Sequence, residues 1–285
     1  MSEMRMGGFQ PLPTVIKYLI IINIIVWLTQ LALPGMYGIR LSDYLALRYW
    51  GSEHFRPHQF ITHMFLHDDS GVRFGFQQGF KQGFLHIFSN MFALWMFGSI
   101  LENRWGPKRF LNFYLICGLG AAVCQELVLT WENITIAQEA QLFFDQPTLE
   151  NFRHIALKYK EESWYGFLDA WQKLPPDSDA LVWQAKHEVS LLVDAFRNGS
   201  MVGASGAVFG VLLAFGYLYP NVEMFIIPIP FPIKAKFLIG GYILLELYVG
   251  FRNSGDGIAH FAHIGGALFG YILLKIWRER SRPRS

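Results

Sequence analysis

Six stretches of this chain are long and apolar enough to be read as membrane helices: roughly Val15–Leu33, Phe84–Leu101, Phe110–Leu129, Met201–Tyr219, Phe237–Phe251 and Ile258–Ile276. A helix crossing ~30 Å of hydrocarbon needs about 20 mostly apolar residues, because its backbone must satisfy its own polar groups. Composition agrees. The 285 residues are 52% hydrophobic and only 16% charged, with 26 Phe, where soluble domains carry about 25% charged residues. The expected fold class is therefore all-α, a polytopic bundle of six spans. The apolar run Met224–Ile233 is short and interrupted by Pro228, Pro230 and Pro232, so it is expected to lie as a loop at the membrane surface.

An even number of spans puts both termini on one side. That side carries Arg5, Lys17, Arg104, Lys108, Arg109, Lys234, Lys236, Lys275 and the C-terminal arginines, against Arg40, Arg48, Arg56, Arg73, Lys81 and Arg252 opposite, with the insert left out. A Lys/Arg excess marks the cytoplasmic side, and the expected location is a bacterial plasma (inner) membrane with both termini cytoplasmic. No cleavable signal peptide is expected, since the first apolar run is long and no small-residue cleavage site follows it. Residues 130–200 are polar and acid-rich and join spans 3 and 4 on the outer side. The expected organisation is thus a membrane domain, 1–129 with 201–285, and an extracytoplasmic helical insert, 130–200. Within the insert one helix is expected over Thr148–Lys173, stopped by Pro175 and Pro176. A second is expected over Asp179–Asn198, ended by Gly199. The two cysteines, Cys117 and Cys124, lie in one apolar run and suggest neither a disulfide framework nor a zinc site. No metal or other cofactor is expected, and a net charge of +2 is too small to argue for nucleic acid.

Spans 2, 4 and 6 run in the same direction, and each carries polar residues near its outer end: His86 and Asn90, Ser205, and His260 with His263. At ~1.5 Å per residue these lie roughly 3–10 Å below the outer edge. Singly, each has a plainer reading: a membrane serine packs, and a histidine or asparagine bonds a neighbouring helix. Their common depth joins them, because polar groups in a membrane usually face the bundle interior or a water-filled cavity. Gly206 and Gly210 in span 4, and Gly266 and Gly270 in span 6, have the four-residue spacing that lets helix backbones approach closely. His263, Gly266 and Gly270 share one helical face, so contact of those faces would bring His263 to Ser205. Helix packing alone would explain the glycines but not the histidine.

In these residues the chain resembles the rhomboid family of intramembrane serine proteases. Four motifs stand in order: His86-Ile-Phe-Ser-Asn90; Glu102-Asn-Arg104 with Gly106; Gly203-Ala-Ser205-Gly206; and Ala262-His263-Ile264-Gly265-Gly266. Phe55-Arg56, Thr62-His63 and Leu66-His67 match more weakly. The resemblance covers the six spans and omits the 130–200 insert and part of the first loop. It implies a rhomboid-type bundle, a serine endopeptidase, and a nucleophile and base at Ser205 and His263. It also implies an oxyanion hole made by the His86 and Asn90 side chains with the Ser205 backbone N–H. The family often has Tyr four residues after the nucleophile, where this chain has Phe209. Asp256 sits in the loop before span 6, and Glu246 is placed toward the inner end of span 5. No acid is then expected beside the histidine. The expectation is a Ser–His dyad, with Phe209 holding the imidazole in place of an acid and with Gly203, Gly206, Gly266 and Gly270 supporting the site. His260 is the competing base.

The implied substrate is the single transmembrane helix of another membrane protein, entering sideways from the bilayer near the extracytoplasmic face and cut where Gly or Pro lets it unwind. The loop Pro34–Gly83 and span 5 are gate elements by analogy. Two other readings remain at this point. One is a catalytically inactive relative that binds membrane helices. The other is a channel or transporter, although transporters tend to show internal repeats and broken spans near mid-membrane, and no repeat is visible here.

Overall fold

The computed structural model of the chain describes residues 12–69, 76–159, 161–173, 179–225, 231–252 and 259–279. Pro175, Pro176, Pro228, Pro230 and Asp256, singled out above, lie outside the described residues. The protein is an all-α membrane bundle. The helices at the six expected spans are α1 (Thr14–Tyr37); α4 (Phe76–Ala93), which continues through a π-helical turn at Leu94–Gly98 into α5 (Ser99–Trp105); α6 (Pro107–Asp145); α10 (Ser205–Leu218); α11 (Ala235–Arg252); and α12 (His260–Ile276). Among the described residues, α1, the helix through Gly83–Trp105 and α6 are long and apolar enough by themselves to cross a membrane. Whole helix faces are apolar and exposed. On α1 these are Ile21, Ile24, Ile25 and Leu28, and on α11 Phe237, Leu244, Leu245 and Phe251. Along α4, Phe80, Phe84, Phe88 and Phe92 stack one on the next at 5.7–5.8 Å. Such faces are compatible with lipid as their solvent, not water.

One end of the bundle is tied by the Glu102-Asn-Arg104…Gly106 motif. Pro13 precedes α1 and offers no side-chain cap. The Glu102 carboxylate, buried at the end of span 2, instead accepts the N–H groups of Val15 and Ile16, each at 2.9 Å. Charge-assisted bonds to a helix N-terminus are among the stronger ones. Gly106 (φ +81°) turns the chain sharply into Pro107 at the start of α6. Glu279, just beyond α12, pairs with Arg104 at 2.9 Å and Arg109 at 3.0 Å, so spans 2, 3 and 6 meet at one ionic knot.

Three helices, α6, α10 and α12, form the centre of the bundle, and glycine makes this possible. A methyl group built on Gly266 would fall on the Gly206 carbonyl; one on Gly270 would lie 3.1 Å from the Gly210 Cα. The other faces of α10 and α12 press on α6, Gly206 on Ala121 and Gly265 on Cys124. The contact with Ala121 fixes the depth at which α10 begins. From Ala121 to Leu129, the expected outer edge, α6 rises about 12 Å.

Two expected boundaries move. Span 4 does not begin at Met201: Ser200–Met201 form strand β2, antiparallel to β1 (Leu47–Arg48), and the helix starts only at Ser205. α10 is therefore about 21 Å long, shorter than the hydrocarbon layer, and an extended segment carries the chain down to it. Span 3 does not stop at Leu129 either. α6 runs on to Asp145, so the insert grows out of a membrane helix without a break. The expected helix Thr148–Lys173 is divided into α7 (Leu149–Lys158), capped by the Thr148 side chain, and α8 (Tyr165–Gln172), because Trp164 folds back to stack on Phe152 at 4.8 Å. α9 (Asp179–Asn198) completes the insert. Its core, which includes Phe143, Phe152, Trp171 and Val189, is separate from the core of the bundle. Strands β3 (Glu223–Met224) and β4 (Ile233–Lys234) pair across the region expected as a loop.

The short helices α2 (Leu41–Leu45) and α3 (Gln59–Thr62) belong to the loop between α1 and α4. This loop is hung from α1 by His67, whose ring bonds Asn23 at 2.9 Å while its backbone exchanges two bonds with the Gln30 amide. Burial pushes the imidazole of His63 down to about 4 and that of His67 to about 3. Both are neutral at ordinary pH and act as fixed hydrogen-bonding struts.

Candidate active site

The segment that delivers Ser205 is held from two sides before the helix begins. Besides the β1–β2 pairing, the Gly203 N–H donates to the His63 carbonyl at 2.9 Å. Gly203 has φ +126°, a conformation L side chains rarely adopt, and a Cβ there would lie 3.0 Å from His86 Nε2 and 3.5 Å from Ser205 Oγ. Glycine thus allows the backbone turn and leaves the space between the imidazole and the hydroxyl unfilled. Ser205 is the first residue of α10, and the first N–H groups of a helix have no intrahelical partner and carry its positive dipole end.

The structure brings Ser205 and His263 together: His263 Nε2 lies 2.8 Å from Ser205 Oγ. The contact follows from the glycine seam, since Gly266, one turn along α12 from His263, sits on Gly206. Phe209, one turn below Ser205, stacks its ring on the His263 imidazole at 4.4 Å and 5°.

An acid completes the arrangement, contrary to the expected dyad. Glu246 Oε2 lies 2.8 Å from His263 Nδ1 and 2.7 Å from His260 Nδ1. Glu246 is expected from the sequence toward the inner end of span 5, but span 5 runs opposite to spans 4 and 6. The residues near its C-terminal end therefore share a level with the N-terminal ends of α10 and α12. Glu246 is about 9 Å below the end of α11 at Arg252, the level where His260 and His263 begin α12. The signal was present in the sequence: an acid within a membrane span is by default a candidate for function. Phe209 therefore does not stand in the place of an acid: it lies flat on the face of the ring, and Glu246 lies at its Nδ1.

His86 and Asn90 are placed differently from each other. The Asp68 backbone N–H donates to His86 Nδ1 at 3.1 Å. In a neutral imidazole this leaves the proton on Nε2, the nitrogen facing the space over Gly203. Asn90 is buried, and its side-chain amide donates to the His86 carbonyl one turn back at 2.8 Å. The structure thus turns one of its N–H groups toward its own helix. His260 lies one turn above His263, its nearer nitrogen on Glu246. Glu246, His260 and His263 each offer a possible metal-ligating atom, all within 4.8 Å of one another.

A family model, the Rhomboid domain, matches residues 54–136 and 181–280, more than half of the chain. The chain belongs to the rhomboid family. The match includes every residue of the site described here and leaves out 137–180, most of the insert. Among curated relatives, this rhomboid is 25% identical over 215 residues to RHOMBOID-like protein 12, mitochondrial, of Arabidopsis thaliana, a match covering 74% of the chain and 44% of the relative. It is 30% identical over 96 residues to Rhomboid protein 1, mitochondrial, of Saccharomyces cerevisiae, covering 30% of the chain and 25% of the relative. The matched region spans less than half the length of either relative.

Proposed function

We propose that this rhomboid is an intramembrane serine endopeptidase that cuts transmembrane segments of other membrane proteins near the extracytoplasmic face. The 2.8 Å approach of His263 Nε2 to Ser205 Oγ carries the reading, because a serine hydroxyl is a weak nucleophile until an adjacent base activates it. Ser205 Oγ attacks the scissile carbonyl while His263 Nε2 takes its proton. Glu246 holds the Nδ1–H, which keeps the Nε2 lone pair toward serine and stabilises the imidazolium that forms. His263 then returns the proton to the departing amine, and water hydrolyses the acyl-enzyme by the same route.

The tetrahedral oxyanion needs donors already in place. The Ser205 N–H and His86 Nε2–H are assigned that role. Asn90 contributes its second amide N–H and, through the first, steadies the turn of α4 that carries His86. Gly203 keeps the cradle open, and Gly206, Gly266 and Gly270 hold the two helices at the required distance. The proposed partner is the one the sequence implies: a single transmembrane helix, reached through the bilayer. The Lys/Arg bias supports an orientation with both termini cytoplasmic, as in a bacterial inner membrane, although the two relatives named above are mitochondrial proteins.

The test is cleavage of a panel of single-span membrane proteins by the purified chain in liposomes. Wild type is expected to cut those with Gly or Pro near the outer end of the span, at a site mapped by mass spectrometry. Ser205→Ala is expected to leave every substrate intact. Binding of the panel without cleavage by wild type would instead favour an inactive helix-binding relative.

A further inference from the structure

We propose that Glu246, His260 and His263 form a site for a Zn2+-type divalent cation, and that its occupation switches the protease off. The binding half of this proposal stands on geometry alone; the switching half rests on the Ser205–His263 reading above. Two imidazole nitrogens and one carboxylate oxygen converge, with His260 and His263 at i and i+3 on α12 and Glu246 on the neighbouring α11. Their side chains are only 7–12% exposed. Imidazole with a carboxylate is a donor set that zinc takes readily, usually with four ligands, whereas Mg2+ and Ca2+ prefer oxygen alone.

The three ligand atoms, all within 4.8 Å of one another, must regroup around an ion. Bonds of ~2.0–2.1 Å to a tetrahedral ion place its ligand atoms about 3.3 Å apart. The Glu246 oxygen now lies 2.7 and 2.8 Å from the two Nδ1 atoms. Withdrawal of the carboxylate by roughly half an ångström from each ring, with the two imidazole nitrogens set at the same ~3.3 Å spacing, opens the position, and solvent supplies the fourth ligand.

The consequence for His263 follows from proton bookkeeping. A neutral imidazole holds one N–H proton. Without a cation it sits on Nδ1, bonded to Glu246, and the Nε2 lone pair faces Ser205. A cation on Nδ1 uses that nitrogen's lone pair, so the single proton must sit on Nε2. Nε2–H then donates to Ser205 Oγ and has no lone pair to accept its proton. The serine stays in place and loses its base. Only metal–ligand bonds form, and no oxidant or reductant is involved.

Co2+ is the probe, added to the untagged full-length chain in detergent micelles. One equivalent is expected to produce the visible ligand-field absorption of a four-coordinate ion, displaced by Zn2+. His260→Ala and the more conservative His260→Gln, each checked for retained helicity, are expected to weaken binding by at least about ten-fold. Saturating Zn2+ is expected to lower fluorophosphonate labelling and cleavage by wild type at least ten-fold, with recovery on chelation, and to lower them far less in the His260 variants. Absence of the Co2+ band, or an unchanged band in both His260 variants, overturns the site. Co2+ binding through His260 with undiminished labelling overturns the switch. A chain that binds Co2+ as expected but neither labels nor cleaves without metal leaves the site standing and removes the protease reading. Cleavage without Co2+ binding does the reverse.

Discussion

Glu246→Gln is expected to lower kcat for cleavage of a single-span substrate by on the order of 10³–10⁴, with little change in KM, comparable to loss of the acid in soluble serine proteases. The side chains are nearly isosteric, so packing between α11 and α12 should survive. What changes is the tautomer. A carboxylate oxygen can only accept, so it holds the His263 proton on Nδ1. An amide can also donate, and an amide N–H aimed at Nδ1 would leave the ring proton on Nε2, facing Ser205. The loss of negative charge also removes support for the imidazolium. Glu246 contacts the two imidazoles and, in the proposed mechanism, no substrate atom, which is why the effect should fall on kcat. Steady-state kinetics in liposomes decides the matter, with thermal stability measured in parallel. A reduction below about ten-fold would mean that the Glu246–His263 contact does not act in catalysis and that serine and histidine work as a pair alone.

Gly266→Ala is expected to inactivate the chain at least 100-fold and to destabilise it by more than the 1–3 kcal/mol usual for overpacking. The added methyl meets the Gly206 backbone carbonyl, and a backbone atom cannot step aside as a flexible side-chain end can. Relief requires α10 and α12 to separate, and the same separation draws His263 Nε2 away from Ser205 Oγ. A displacement of about 1 Å of reacting groups costs on the order of 10² in rate. Gly241→Ala on α11 is the control, since a Cβ there meets nothing within 4 Å; it should leave stability and cleavage near wild type. Measured together, unfolding in detergent and cleavage in liposomes separate a packing defect from a chemical one. Full activity in Gly266→Ala would show that the glycine seam does not set the distance between serine and histidine.

The membrane architecture could be read in the sequence because its cause is coarse: apolar runs of span length have few other solutions. The close meeting of span 4 with span 6 could be read for a related reason. Glycines four apart on two helices leave little else to do than let backbones touch, and Gly206, Gly210, Gly266 and Gly270 do so. What escaped depended on direction and on distant partners. Glu246 was misplaced because an antiparallel span reverses which end is outer, and depth counted from the wrong end hid an acid at the level of the histidines. Ser205 opens its helix, later than the apolar run begins, because Met201 pairs with Leu47 and the Gly203 N–H with the His63 carbonyl, partners far away in sequence. The tautomer of His86 rests on a backbone N–H at Asp68, which no motif records. The continuity of α6 into the insert was hidden by the change from apolar to polar composition near residue 130, which marks where lipid ends but not where a helix does.

Labelling of the purified chain with a fluorophosphonate, followed by mass spectrometry of the modified peptide, tests most directly whether Ser205 is an activated nucleophile. A single phosphonyl adduct on Ser205, absent from Ser205→Ala and reduced at least 100-fold in His263→Ala, is the expected result. No adduct on the folded wild-type chain, or one that persists at full rate without His263, would contradict the assignment of a serine activated by that histidine.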